Sequence, residues 1–164
     1  MNLVSMDGDR AARLLEASLC SVLADMVFLD ARSLEDREQD PESGGTAGPA
    51  VAFRVAIDVL KPTSCRIELG MPDSLRSRIA EILLAGQGED TLSGGSHDAV
   101  LEIVNVIAGQ FVVGYFGQGV EIKLELPQLL FGMPDNEGDE VCAFAMDVEG
   151  EKLEVRLTSI RYRY

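Results

Sequence analysis

Four residues, Asp98, Glu102, Asn105 and Gly109, follow one another at spacings of four, three and four. On an α-helix, at about 100° per residue, they fall within an arc of roughly 60°. Around them stand Val100, Leu101, Ile103, Val104, Val106, Ile107, Phe111 and Val112, which cover nearly all of the remaining circumference. A helix from about Ser96 to Val112 is therefore expected to be buried almost all round, with one narrow polar stripe. That stripe is either the solvent side of a core helix or a face made to be docked against. Asn is a poor helix former, and solubility alone favours Lys, Glu or Gln at an exposed interior position. Gly109 costs about 1 kcal/mol relative to Ala, yet it removes bulk beside Asn105 and lets another surface approach. The chemistry on offer is a carboxylate that can pair with a cation and a carboxamide that both donates and accepts hydrogen bonds.

Other catalytic constellations are missing. Cys20, Cys65 and Cys142 are far apart, with no CxxC spacing and one histidine in the chain. They read as small buried hydrophobes, not as a zinc site or a disulfide framework. His97 lies in a Gly/Ser-rich stretch and defines no Cys-His pair. No GxGxxG, GxxxxGK[ST] or GxSxG occurs, so the usual nucleotide and serine-hydrolase readings fall away. Fourteen basic against twenty-eight acidic residues give a net charge of −14. Nucleic acid, anionic lipid and free nucleotide are thus not expected as partners. Uninterrupted apolar runs are only a handful of residues and the start carries no signal pattern, so a soluble cytoplasmic chain without membrane contact is expected.

The elements that must position the stripe follow from periodicity. At 164 residues and 46% apolar composition, one domain can fold on its own core. Leu14, Leu15, Leu19, Val22, Leu23 and Met26 predict a first helix from Asp9, its N-cap, to about Phe28. Residues 31–49 are acidic and rich in Gly and Pro, which predicts a flexible connector. Alternation over Val51–Val59 and Cys65–Leu69, about a turn at Lys61-Pro62-Thr63, predicts a hairpin. Pro72 opens a second helix with Leu75, Ile79, Ile82 and Leu83 on its inner face, Gly86 ends it, and a loop runs from Gln87 to Ser96. After the stripe helix, Val120, Ile122, Leu124 and Leu126 alternate inward as a strand closed by Pro127. Two last strands, one bearing Cys142, Phe144, Met146 and Val148 and the other Leu153, Val155 and Leu157, join at a tight Glu149-Gly150 turn. The order α-β-β-α-α-β-β-β predicts an α+β domain, mainly antiparallel sheet with helices packed on one face.

With its Asp, Glu and Asn, then Gly109 and Pro127, the third helix resembles the signature of the CheC/CheX/FliY chemotaxis phosphatases. The flanking residues Ala99–Phe111 and Ile122–Gly132 resemble that family too, and the element order matches over nearly the whole chain. The step from Asn105 to Pro127 is one residue shorter than the usual pattern. Aligning Leu15-Glu16 with Leu101-Glu102 puts Leu19 where Asn105 stands, so the first helix lacks the Asn. One intact motif resembles the CheX branch, which implies a homodimer with one site per subunit. Alternating Glu, Lys and Arg on the outer faces of the last strands suit a monomer as well. Lack of a FliN-like C-terminal extension sets the chain apart from the FliY branch.

The resemblance implies hydrolysis of the aspartyl phosphate on a CheY-like response regulator that already holds Mg²⁺, with no metal or cofactor bound by this chain. An acidic protein can act on phosphate when the partner supplies the neutralising cation and lysine. Asn105 would orient the attacking water, since a neutral amide does not repel the phosphoryl group. Glu102 would pair with the partner's lysine. Gly109 and Asp98 would meet the partner, Asp98 being equally readable as a first-turn acid on the helix dipole. The alternative is a non-catalytic CheX-like or flagellar-switch-like scaffold that binds without hydrolysis.

Overall fold

A computed structural model describes residues 5–34, 50–85, 95–131 and 138–161. The first helix, α1, spans Gly8–Val27 and buries Ala11, Leu15, Leu19, Val22, Leu23 and Val27 along one side. Its N-cap is Asp7, not the expected Asp9, because Asp7 Oδ1 accepts the Arg10 N–H at 3.1 Å. Phe28, in the left-handed region, turns the chain out of the helix. Residues 31–33, expected as the start of the connector, form strand β1 (Ala31–Ser33), paired antiparallel with the later strand at Met146–Val148. Residues 35–49 of that connector, and Gly86 with most of the loop after it, lie outside the described residues.

Strands β2 (Phe53–Lys61) and β3 (Cys65–Met71) form the expected hairpin. Helix α2 spans Asp73–Leu84 behind Pro72, and α3 spans Gly95–Phe116. Gly95 and Ser96 therefore open α3 and are not the end of the expected loop. Strands β6 (Asp139–Val148) and β7 (Glu151–Ser159) are joined by Glu149 and Gly150, both at positive φ, the backbone that a two-residue hairpin turn requires.

Between α3 and β6 the expected strand over 120–126 shrinks to β4 (Lys123–Leu124), followed by β5 (Gln128–Leu130). Both pair with β2 and form one edge of a seven-stranded antiparallel sheet ordered β1-β6-β7-β3-β2-β4. The register shifts between Val59 and Lys61, and after Glu125 the chain leaves the ladder until Gln128. Pro127 sits between the two short strands and has no N–H to contribute. Leu126, expected to face inward, is 82% exposed, and Ile122 is exposed too.

Rows of apolar side chains cross the inner face of the sheet. Val55, Leu69, Val155 and Phe144 lie opposite one another on successive strands, as do Ile57, Ile67, Leu157 and Cys142. Helices α1, α2 and α3 pack on this face. Leu19 and Leu23 of α1, Leu75 and Ile79 of α2, and Val100, Ile103 and Ile107 of α3 meet Leu69, Met71 and Leu153 around a gap of only about 10 Å³. The domain is α+β with its helices on one side of an antiparallel sheet.

Candidate functional site

The stripe helix is held at both ends. Near its start His97 packs its ring on Phe53, 5.4 Å between centroids, and the Arg76 guanidinium lies over the other ring of that pair, Phe53, at 5.9 Å. At its end Arg10 Nη2 donates to the Tyr115 carbonyl at 2.9 Å while the guanidinium lies 4.6 Å above the Tyr115 ring. Tyr115 Oη in turn accepts the Asp7 N–H at 2.8 Å. No basic residue stands in the last turn of α3, so Arg10 supplies the cation that its C-terminal carbonyls favour. Gly117, at φ +91, closes the helix through its N–H to the Val113 carbonyl at 2.9 Å.

Between these anchors Val100, Ile103, Val104, Ile107, Ala108, Phe111 and Val112 are buried. By length and composition His97–Phe116 would suffice to cross a membrane, but half of it is buried inside this domain, as a core helix is. Asp98, Glu102 and Asn105 are exposed and Gly109 is partly exposed, all on the side turned away from the core. The structure thus brings the four predicted residues together on one open stripe. A Cβ built at Gly109 meets nothing within 4 Å, so no packing among the described residues requires a glycine there. A mid-helix glycine with no internal reason is a feature aimed outward.

The first helix offers no second copy of the stripe. Leu19, which the sequence alignment set opposite Asn105, is fully buried, so that alignment pairs an inner position with an outer one. Matching the burial patterns instead sets Arg13 and Glu16 opposite Glu102 and Asn105. Either way α1 lacks a Glu-Asn pair.

Other chemistry recedes. All three cysteines are free. Burial, with Asp58 nearby, pushes the Cys65 thiol up to about 12; burial, with Glu140 nearby, pushes Cys142 to about 11. Cys20 is raised by burial and then by Glu16 and Asp30. Among the described residues no group of three or more His, Cys, Asp or Glu could hold a metal ion.

No protein-family model and no curated protein sequence matches the chain. Solved structures do. CheX from Desulfovibrio desulfuricans superposes with a TM-score of 0.66 at 14% identity, over 91% of this chain and 98% of that one. The chain has the CheX/CheC fold. A CheX–CheY–BeF3–Mg²⁺ complex from Borrelia burgdorferi matches at TM-score 0.60 and 19% identity, covering 92% of this chain and 98% of that one. A CheC-like superfamily protein from Shewanella sp. PV-4 matches at 0.60 and 15%, covering 97% and 100%.

Sequence reasoning missed two features of this CheX-like domain. One is the clamp of Arg10, Tyr115 and Asp7, for which residues more than a hundred positions apart give no local signal. The other is the apolar edge: Leu126, between the two short edge strands, and Phe131, just after the second and 89% exposed, stand open.

Proposed function

We propose that this CheX-like chain is a phosphatase of chemotaxis-type signalling that removes the phosphoryl group from the aspartate of a CheY-like response regulator. The observation that carries the reading is the open Asp98–Glu102–Asn105–Gly109 stripe on a helix clamped at both ends. Phosphoryl transfer asks little covalent work of the protein; catalysis is placement of a water in line and stabilisation of charge. Asn105, neutral and exposed, orients that water. Glu102, one turn away on the same side, pairs with a lysine of the receiver, and Mg²⁺ comes with the receiver. Gly109 leaves room for the partner's backbone, and Asp98 lies at the end of the stripe where the partner passes. The likeness to a protein solved as a complex with CheY supports this choice of partner.

In this reading the chain works as a soluble cytoplasmic homodimer with one site per subunit, its apolar edge at Leu126 and Phe131 being the surface that a second copy covers. Light scattering across a concentration series tests that part, and a concentration-independent monomer mass removes it. The catalytic part is tested by phosphate release from a phosphorylated receiver. Wild type is expected to accelerate it by a factor that Asn105→Ala cuts about 10²-fold or more; equal rates with the two proteins overturn the assignment.

A further inference from the structure

Val113 continues the open stripe one turn beyond Gly109. Eight residues after Asn105 on an unbroken helix, it lies about 12 Å along the axis, and with it the stripe spans an arc of roughly 80°. Every other large apolar side chain of α3, from Val100 to Phe116, is buried or packs against the core, whereas Val113 is 37% exposed. Gly109 one turn before it, Gly114 beside it and Gly117 one turn after it leave it standing clear of its neighbours along the chain.

Helix formation gives no reason for a valine here. Val is β-branched and a weaker helix former than Lys, and in a last turn that holds no basic residue Lys would also favour the C-terminal carbonyls. Single exposed apolar residues are common; this one is set apart by its alignment with the stripe.

Size and charge tie Val113 to the docked partner. A standard interface takes about 800 Å² from each protein, a patch roughly 16 Å in radius, so a receiver centred on Asn105 reaches Val113. The character of the face changes along that footprint: Asp98 and Glu102 stand at one end, while no charged residue occurs from 103 to 120. Arg10, the cation that α1 brings to the far end, is engaged by the Tyr115 carbonyl and ring. One end of the stripe suits a cation and the other an apolar surface.

We propose that Val113 is the apolar anchor of the receiver-docking face, packing on an uncharged apolar patch of the receiver; the inference rests on the phosphatase reading above. It sets the receiver's orientation, with the lysine over Glu102 and the apolar patch over the C-terminal end of α3. Val113 touches neither the phosphoryl group nor the water, and receivers with a charge at the facing position are refused.

The probe is a receiver whose phosphate release the wild-type chain accelerates, loaded for calorimetry with Mg²⁺ and a beryllofluoride mimic of the phosphoryl group. Val113→Lys should raise its Kd about tenfold or more and Val113→Ala about threefold or more, while Val113→Ile stays within about twofold of wild type. Single-turnover phosphate release at saturating receiver should keep the wild-type rate in all three, because the loss is one of docking alone. Ala143→Lys adds the same charge at an exposed position on the helix-free face of the sheet and should leave Kd unchanged. Val113→Ala carries the test if Val113→Lys fails to fold. An unchanged Kd for Val113→Ala or for folded Val113→Lys, a tighter complex with Val113→Lys, an equal loss with Ala143→Lys, or a lower saturated rate at unchanged Kd overturns the anchor and leaves the phosphatase reading standing. An unchanged Kd together with a changed mass of the free chain in light scattering assigns Val113 to a contact between copies instead. If wild type accelerates no phosphorylated receiver, the phosphatase reading falls and the anchor falls with it.

Discussion

Gly109 offers a perturbation whose sign separates a glycine kept for the fold from one kept for a partner. A Cβ at this position has no neighbour within 4 Å, and the residue lies inside a continuous helix from Gly95 to Phe116. Gly109→Ala therefore gains helix propensity and loses unfolded-state entropy without a clash, which stabilises the chain by about 0.5–1 kcal/mol. For a domain of this size that is a Tm rise of roughly 1–4 °C in a thermal melt followed by circular dichroism. Gly109→Gln is a good helix former too, so it should fold as well as wild type, but it places a long side chain beside Asn105 on the open stripe. Receiver binding, measured by calorimetry, should weaken at least tenfold, about 1.4 kcal/mol. A fall in Tm on Gly109→Ala would mean that the fold itself needs the glycine. An unchanged affinity for Gly109→Gln would mean that nothing docks over this face. Either result refutes the reasoning.

Three further outcomes are expected. Glu102→Ala should raise the Kd for a phosphorylated receiver by an amount equivalent to about 2–5 kcal/mol, while the Tm stays put because Glu102 is exposed; a calorimetric titration reads the first and a melt the second. Arg10→Ala removes the bond to the Tyr115 carbonyl and the cation over its ring, and should cost about 1–2 kcal/mol in a urea titration. The three thiols have raised pKa values in the folded chain, with Cys65 at about 12 and Cys142 at about 11. The unfolded chain ionises them near the ordinary value of about 8.5. Their contribution to stability is therefore intact below that pH and is lost as pH climbs above it, and a thiol reagent at pH 8 should label the native chain slowly and the unfolded chain fast.

How much of this could be read from the residues alone varied with the range of the interaction involved. The stripe was legible because a helix apolar nearly all round leaves only one direction for Asp98, Glu102, Asn105 and Gly109. The β2–β3 hairpin and the Glu149-Gly150 turn were legible because local alternation and turn chemistry determine them. Val120–Leu126 alternates just as regularly, yet only Lys123 and Leu124 pair, since at an edge the register of β2 and the position of Pro127 decide where pairing stops. Residues 31–33 carry no strand pattern and are a strand only because β6 lies alongside. Asp7, not Asp9, is the N-cap because the helix begins two residues earlier than an Asp9 cap would start it, at Gly8, where a larger residue would press within 2.5 Å of the Val141 carbonyl.

The central claim, that Asn105 places water on a phosphoryl group delivered by a docked receiver, is tested most directly by measuring binding and hydrolysis separately on Asn105→Ala. With a phosphorylated receiver and Mg²⁺ in excess, single-turnover phosphate release should fall about 10²-fold or more while the Kd for the receiver changes less than threefold. If release by wild type is no faster than by Asn105→Ala although both bind the receiver, the chain is a binding module and the stripe a docking face without chemistry.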